Sequence, residues 1–199
     1  MRRADTILEF WFGTLTAGFA DAALRRCWFA VNPEFDQTIA RQFGDLLDAA
    51  NTGALNAWRE TPRGCLSFML VTDQFSRQIH RGSAQAFATD ALALAAARLG
   101  IERGYDELLE LDDRAFFYLP FEHSEAVADQ QMSVTLFKRL RDATPPPHRH
   151  LTGQALRFAM GHRDIVLRYG RFPHRNLLLG RTSTAAELEF LVSANRFWQ

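Results

Sequence analysis

Lysine is nearly missing from this chain. Lys138 and 22 arginines make up the 23 basic residues, and 23 acidic residues cancel them. With no net charge there is no global field to draw in nucleic acid or an anionic membrane, so neither is an expected partner. Cysteine is scarce as well. Cys27 and Cys65 stand far apart among apolar neighbours and form neither a CxxC metal pair nor a disulfide framework, which fits a reduced, cytoplasmic setting. Long apolar runs are also lacking. The longest, near Leu66–Val71 and Ala91–Ala97, fall well short of the ~18 residues of a membrane span. The start, Met1-Arg2-Arg3-Ala4-Asp5, leads into a run broken by Glu9 and Gly13, which is not the form of a signal peptide. Nothing alternates with period two, and no Asn-Gly dipeptide joins two β-branched runs, so strands and hairpins are not expected.

What is present is helix. At 199 residues, 47% apolar and 23% charged, the chain reads as a single globular domain over residues 1–199, long enough to close a core. Asp5 reads as an N-cap ahead of Ile7, Leu8, Phe10, Trp11 and Phe12, with Gly13 as the stop. Further helices are expected over residues 19–31, Pro33–Ala50, Pro62–Ile79 and 84–99, the last ending at Gly100. Pro120 is expected to start a long helix from Phe121 to Ala143. The triplet Pro145-Pro146-Pro147 then forms a linker before a helix from His150 to Tyr169. Thr184 and Glu187 make a capping box for a last helix toward Phe197. The fold class is therefore all-α, with roughly eight to ten helices in antiparallel pairs and no clear sequence repeat.

Polar residues interrupt the apolar faces at chosen places. The stretch RAFFYLPFEHSEAVADQQMSV (Arg114–Val134) sets Glu122, His123, Ser124, Glu125, Asp129 and Gln130 directly behind an aromatic run. Asp73 and Arg77 are four apart and continue the buried face of Leu66, Met69 and Leu70, with Gln74 between them. His162 lies among Phe158, Ile165, Val166 and Tyr169. A turn rich in Gly and Pro supplies Arg171, His174, Arg175, Asn176 and Arg181, and Arg81 sits beside a similar turn. Such groups are costly on apolar faces unless they pair with one another or with a ligand. Codon bias in a GC-rich genome accounts for most of the arginine excess. Its concentration beside glycine turns also suits bidentate anion recognition.

Four blocks of sequence resemble a bacterial family catalogued as domain of unknown function 924: ILEFWFG at Ile7–Gly13, DQFSRQIHRGSAQAFATD at Asp73–Asp90, FFYLPFEHSE with its following DQ at Phe116–Gln130, and GRFPHRNLLLGRTST at Gly170–Thr184. The resemblance covers nearly the whole chain. It implies a tetratricopeptide-like α-α superhelix and carries no established activity. The chain departs from the family pattern at Ser76, where proline is common, a change expected to affect a turn more than a site.

Three uses of these residues are weighed against a plain structural network of ion pairs and hydrogen-bonded core histidines. The leading one is a pocket for a small anionic or polar ligand, drawn from Asp73, Gln74, Arg77, Arg81, His123, Glu125, Asp129, Gln130, His162, Arg171, His174, Arg175, Asn176 and Arg181. The second is a hydrolase, with His123, Glu125 and His162 as catalytic candidates, or with a metal held by some of His123, His162, His174 and Asp129, although no HExxH-like spacing supports one. The third is an interaction module that takes a peptide in a helical groove lined by aromatics such as Trp11, Trp28, Trp58 and Trp198. No cofactor is expected.

Overall fold

The computed structural model describes residues 2–193, so Phe197 and Trp198 lie outside the described residues. Ten α-helices run in the order α1 Arg2–Phe12, α2 Ala22–Phe29, α3 Pro33–Asn51, α4 Pro62–Met69, α5 Ser76–Ile79, α6 Asp90–Glu102, α7 Leu111–Glu122, α8 Val127–Ala143, α9 Arg149–Tyr169 and α10 Ala185–Ser193. Short 3-10 turns connect several of them. Among the described residues there is no strand, only one isolated antiparallel bridge between Thr16 and Phe19. The all-α expectation holds. No described helix is long and apolar enough to cross a membrane, and Cys27 and Cys65 are both free thiols.

Local sequence explains most boundaries. Asn32 accepts the Phe35 amide and Thr61 accepts the Gly64 amide, each ahead of a proline in the first turn. Gly170 ends α9 in the left-handed conformation at φ 71°, and its N–H closes onto Val166 O. The Thr184 and Glu187 capping box forms as expected: the Thr184 amide donates to Glu187 Oε2 at 2.7 Å, and the Glu187 amide donates to Thr184 Oγ1 at 3.2 Å.

Three expectations need correction. Helix α1 already runs from Arg2, so Asp5 lies inside it rather than capping it. Gly100 is interior to α6, which continues to Glu102. Pro145–Pro147 lies between α8 and α9, where Pro146–His148 form one 3-10 turn and α8 packs back on α9. Most consequentially, Pro120 does not open a helix. It sits in the last turn of α7, which holds the whole aromatic run, and the chain leaves helix at His123 before α8 starts at Val127. His123 and Gln130 therefore do not share a helix.

Helix α7 is the central pillar: Phe116 through Glu122 are all buried. Around it one apolar cluster gathers α1, α3, α4 and α6 to α9, with Trp11, Trp28, Phe75 and Phe116 meeting ring to ring. A second, small cluster of Ile165, Val166 and Phe172 anchors the turn after α9. Between α4 and α5 the helix does not break. It widens into a π-helical segment, Leu70–Phe75, in which Ser76 N–H bonds to Val71 O five residues back. Ser76 is thus a helical position leaving the π-helical segment, not a turn. Its hydroxyl donates toward the carbonyls of Gln85 and Ala86 at 3.2 and 3.3 Å.

The approach of α6 to α7 requires Gly100. A Cβ there would lie 2.2 Å from Phe117 Cζ, and Phe117 is fully enclosed and cannot yield. Gly100→Ala is expected to cost roughly 1–3 kcal/mol and several degrees of melting temperature, despite the better helix propensity of alanine. Gly161→Ala in α9, where the same atom meets nothing within 4 Å, should instead raise stability by up to ~1 kcal/mol. Thermal denaturation of the two variants checks both; equal melting temperatures would contradict the packing described.

Candidate functional site

The site is built where the π-helical segment, the break after α7, the middle of α9 and the turn after α9 come together. Its first component is Asp73, buried within the widened segment. His123 Nδ1 stands 2.7 Å from Asp73 Oδ1, Gln74 Nε2 donates to Oδ2 at 2.6 Å, and Arg77 Nη1 lies 2.9 Å from Oδ1. Burial alone would raise the Asp73 pKa, but the charge of Arg77 and the His123 ring more than offset it and hold the carboxyl well below its usual range. An ionised carboxylate only accepts, so Nδ1 of His123 carries the hydrogen and Nε2 keeps its lone pair. Burial, with Arg77 next, also lowers the His123 pKa, which leaves a neutral imidazole at physiological pH.

A second imidazole is fixed in the same way. His162 Nδ1 is 3.0 Å from the carbonyl of Phe158 and 2.9 Å from Glu122 Oε1. Since that carbonyl can only accept, Nδ1 is again the protonated nitrogen. The two rings stand 6.4 Å apart, close to edge-on. Glu122 and His123 are adjacent in sequence but diverge, and each imidazole takes its own carboxylate.

The third component is a chain of arginines. Arg77 forms a fork on Asp90, at 2.7 and 3.1 Å, and Arg175 reaches Asp90 Oδ2 at 3.2 Å. Arg175 is only 6% exposed, with Phe87 and Phe172 4.5 and 4.7 Å from its guanidinium carbon. Its Nε is shut away from solvent without a hydrogen-bond partner among the described residues. Burial first, and then the proximity of Arg77, pull its pKa down to about 10. Arg81 is turned outward in a fork on Asp36.

Two cavities meet here. One, of about 580 Å³, is walled by Trp28, Phe116, Leu119 and Phe158. The other, of about 980 Å³, is bordered by Phe87, His174, Arg175 and Arg181. Arg77, Arg81, His123 and His162 line both, so the two cavities adjoin at these four side chains.

Not every expected residue reaches it. Glu125 is held by a fork from Arg181, at 2.7 and 2.9 Å, and accepts the Phe172 amide at 2.7 Å, which ties the loop after α7 to the turn after α9. Burial opposes ionisation of Glu125, but these bonds outweigh it and lower its pKa. Asp129 pairs with Arg98 and accepts from Ser124 Oγ. Gln130 donates to the carbonyls of Glu122 and Ser124 at 2.7 and 2.6 Å, tying down the end of α7. Arg171 pairs with Glu187, and Asn176 supports Arg181 and Ser183. These five are scaffold. The Asp129 carboxylate is taken up by Arg98 and Ser124, and among the described residues no three His, Cys, Asp or Glu side chains come together as a metal site. Among the contributors not on the candidate list, Asp90 closes the second sequence block, whereas Phe87, Trp28 and Phe158 carry no local signal of a site.

The turn after α9 makes stability depend on pH. Burial, with Arg175 and His162 following, lowers the His174 pKa from 6.5 to about 3. Above pH 6.5 neither folded nor unfolded chain binds a proton at this ring. Below it the unfolded chain gains one that the folded chain refuses, so stability falls with falling pH until about pH 3. Between pH 7 and pH 5 this one ring should cost on the order of 1–2 kcal/mol. Asp113, raised by burial to about 6, acts in the opposite sense, so the reading to take is the difference from His174→Gln. Urea unfolding of that variant should lose less stability between the two pH values, and parallel curves would rule the effect out.

The fold is not peculiar to this sequence. A protein of unknown function from Agrobacterium tumefaciens has a solved structure that superposes with a TM-score of 0.82, at 38% identity, covering 96% of this chain and 98% of that one. No curated protein matches. The family model described as "Bacterial protein of unknown function (DUF924)" matches residues 7–195, and the chain belongs to that family.

Proposed function

We propose that this protein binds a small organic anion in the cleft between α5, α7, α9 and the turn after α9. The observation that carries this reading is Arg175. A guanidinium that is buried, clasped by two aromatic rings and given only a share of one carboxylate is under-compensated, and its Nε lacks an acceptor. A phosphate or carboxylate entering beside it supplies the missing charge, and guanidinium geometry favours oxyanions over halides. Asp73 and Asp90 keep Arg77 in place rather than competing for the ligand. Inorganic phosphate is expected to raise the melting temperature of the wild-type protein in a concentration-dependent way. Arg175→Met, which keeps much of the side-chain bulk, should abolish that shift while leaving the far-ultraviolet circular dichroism unchanged. No shift with phosphate, sulfate or carboxylates in the wild type would remove the support for anion binding.

A second reading is favoured by one specific feature, the Asp73–His123 pair. A carboxylate that holds Nδ1–H and leaves a neutral imidazole with a free lone pair is the arrangement of a general base. In this reading His123 takes a proton from water as the water oxygen attacks a bound phosphate ester, and the proton passes to the departing oxygen. Hydrolysis of p-nitrophenyl phosphate should then fall about 10²- to 10⁴-fold in His123→Asn. Equal rates in variant and wild type would confine the dyad to binding.

A further inference from the structure

The first of the two cavities runs along α7. Asp112, Phe116, Leu119 and His123 follow one another at helical spacing and all line it, so it tracks one face of the helix for roughly 16 Å. Helix α9 faces them with Ala155, Phe158 and His162. Arg25 of α2, bonded to Asp112, stands at the end opposite His123. Between the two ends the walls are apolar, with Trp28, Phe116 and Leu119 buried. Phe29, 65% exposed, lies parallel to Phe116 with 6.0 Å between ring centres and gives the cavity an apolar rim.

Arg25 is the cation this space leaves least used. Its guanidinium carbon lies 5.4 Å from the ring centre of Phe19 and 5.6 Å from that of Trp28, and Nη1 donates to Asp112. The Nε–Nη2 edge has no acceptor among the described residues, and neither atom is shut away from solvent. With this same edge Arg81 grips Asp36 and Arg171 grips Glu187. One guanidinium can serve two carboxylates, as Arg77 does for Asp73 and Asp90. At the His123 end Arg77 is therefore already spent, and Glu122 adds a further carboxylate. An anionic headgroup is favoured at Arg25 instead.

We propose that this cavity binds a medium-chain alkyl carboxylate. The carboxylate takes the Nε–Nη2 edge of Arg25 through two parallel hydrogen bonds, and the chain lies along α7 against Trp28, Phe116, Leu119 and Phe158. An unbranched chain suits a space drawn out along one helix face, and about 580 Å³ is the size of a small-molecule site. Arg175 does not line this cavity, so the proposal does not rest on anion binding there.

Isothermal titration of the full chain with butanoate, hexanoate and octanoate, and with octanol as the uncharged counterpart, tests this. Affinity should rise about three- to fourfold per added methylene. Octanoate should bind at least about tenfold more tightly than octanol. Arg25→Lys keeps a cation for Asp112 but lacks the fork, and should weaken octanoate about tenfold while leaving octanol unchanged. Phe158→Ala removes a wall at a position 40% exposed and should weaken octanoate and octanol alike, several-fold. Arg175→Met should leave octanoate binding intact, which separates this site from the one at Arg175. Affinity that does not change with chain length, or octanoate binding untouched by Arg25→Lys, would overturn the proposal. Loss of octanoate binding in Arg175→Met would overturn it too, because the carboxylate would then lie at Arg175.

Discussion

Burying the Asp73 carboxylate is the constraint on which the rest of this site depends. Removed from water, that charge is tolerable only with close partners, and three are supplied: the Gln74 amide, the Arg77 guanidinium and the His123 ring. Each obliges something else. Arg77, drawn inward by Asp73, also needs Asp90 from the start of α6, and Asp90 in turn reaches Arg175 in the turn after α9. His123 must leave the helical path of α7 to meet the carboxylate, so α7 ends there and α8 begins four residues later. The π-helical segment that holds Asp73 is the local distortion that accompanies this arrangement, as such segments often do at functional sites.

Around this centre the remaining polar residues divide by what they hold. Gln130 fixes the end of α7, Asp129 fixes Ser124, and the Glu125–Arg181 fork joins the α7–α8 loop to the turn after α9. These bonds set the positions of two loops, the first of which carries His123 opposite His162 of α9. A loop carrying functional groups must be held to a rigid framework to be precise. Here the framework is the aromatic pillar α7, buried on all sides. The order from pillar to loop to imidazole explains why so polar a stretch follows so apolar a run.

The pairing of both histidines through Nδ1 gives the cleft a defined chemical face. The ring nitrogens that bond to Asp73 and to Phe158 O are spent on orientation, so each tautomer is set by its partner. Beside them Arg175, flanked by aromatic rings and only partly compensated, is the group that an anion would relieve. The proposed anion binding and the proposed proton transfer rest on different groups, so the two readings can be told apart by substituting Arg175 and His123 separately.

The four blocks from which the site is drawn were marked by their resemblance to a family, and helical spacing and capping chemistry by themselves determined the fold class and most helix ends. Those are local properties: a proline in a first turn, a left-handed glycine at a helix end and a Thr–Glu capping box act over a few residues. The sequence misplaced the helix after the aromatic run because proline usually starts or breaks a helix, whereas Pro120 is carried in the last turn of a helix wholly enclosed by its neighbours. Pairings between distant segments were not legible either. Glu125 with Arg181, Asp129 with Arg98 and Arg171 with Glu187 follow from how loops are brought together, and residue type alone made several other partners equally good. Only the tertiary structure decided that Asp73 and Glu122 each hold one of the imidazoles, that Asp90 joins Arg77 to Arg175, and that Asp129 and Gln130 fix the loop after α7. The reason is physical: a buried charge takes whichever partner the packing of apolar surfaces delivers, and that packing is a property of the whole chain.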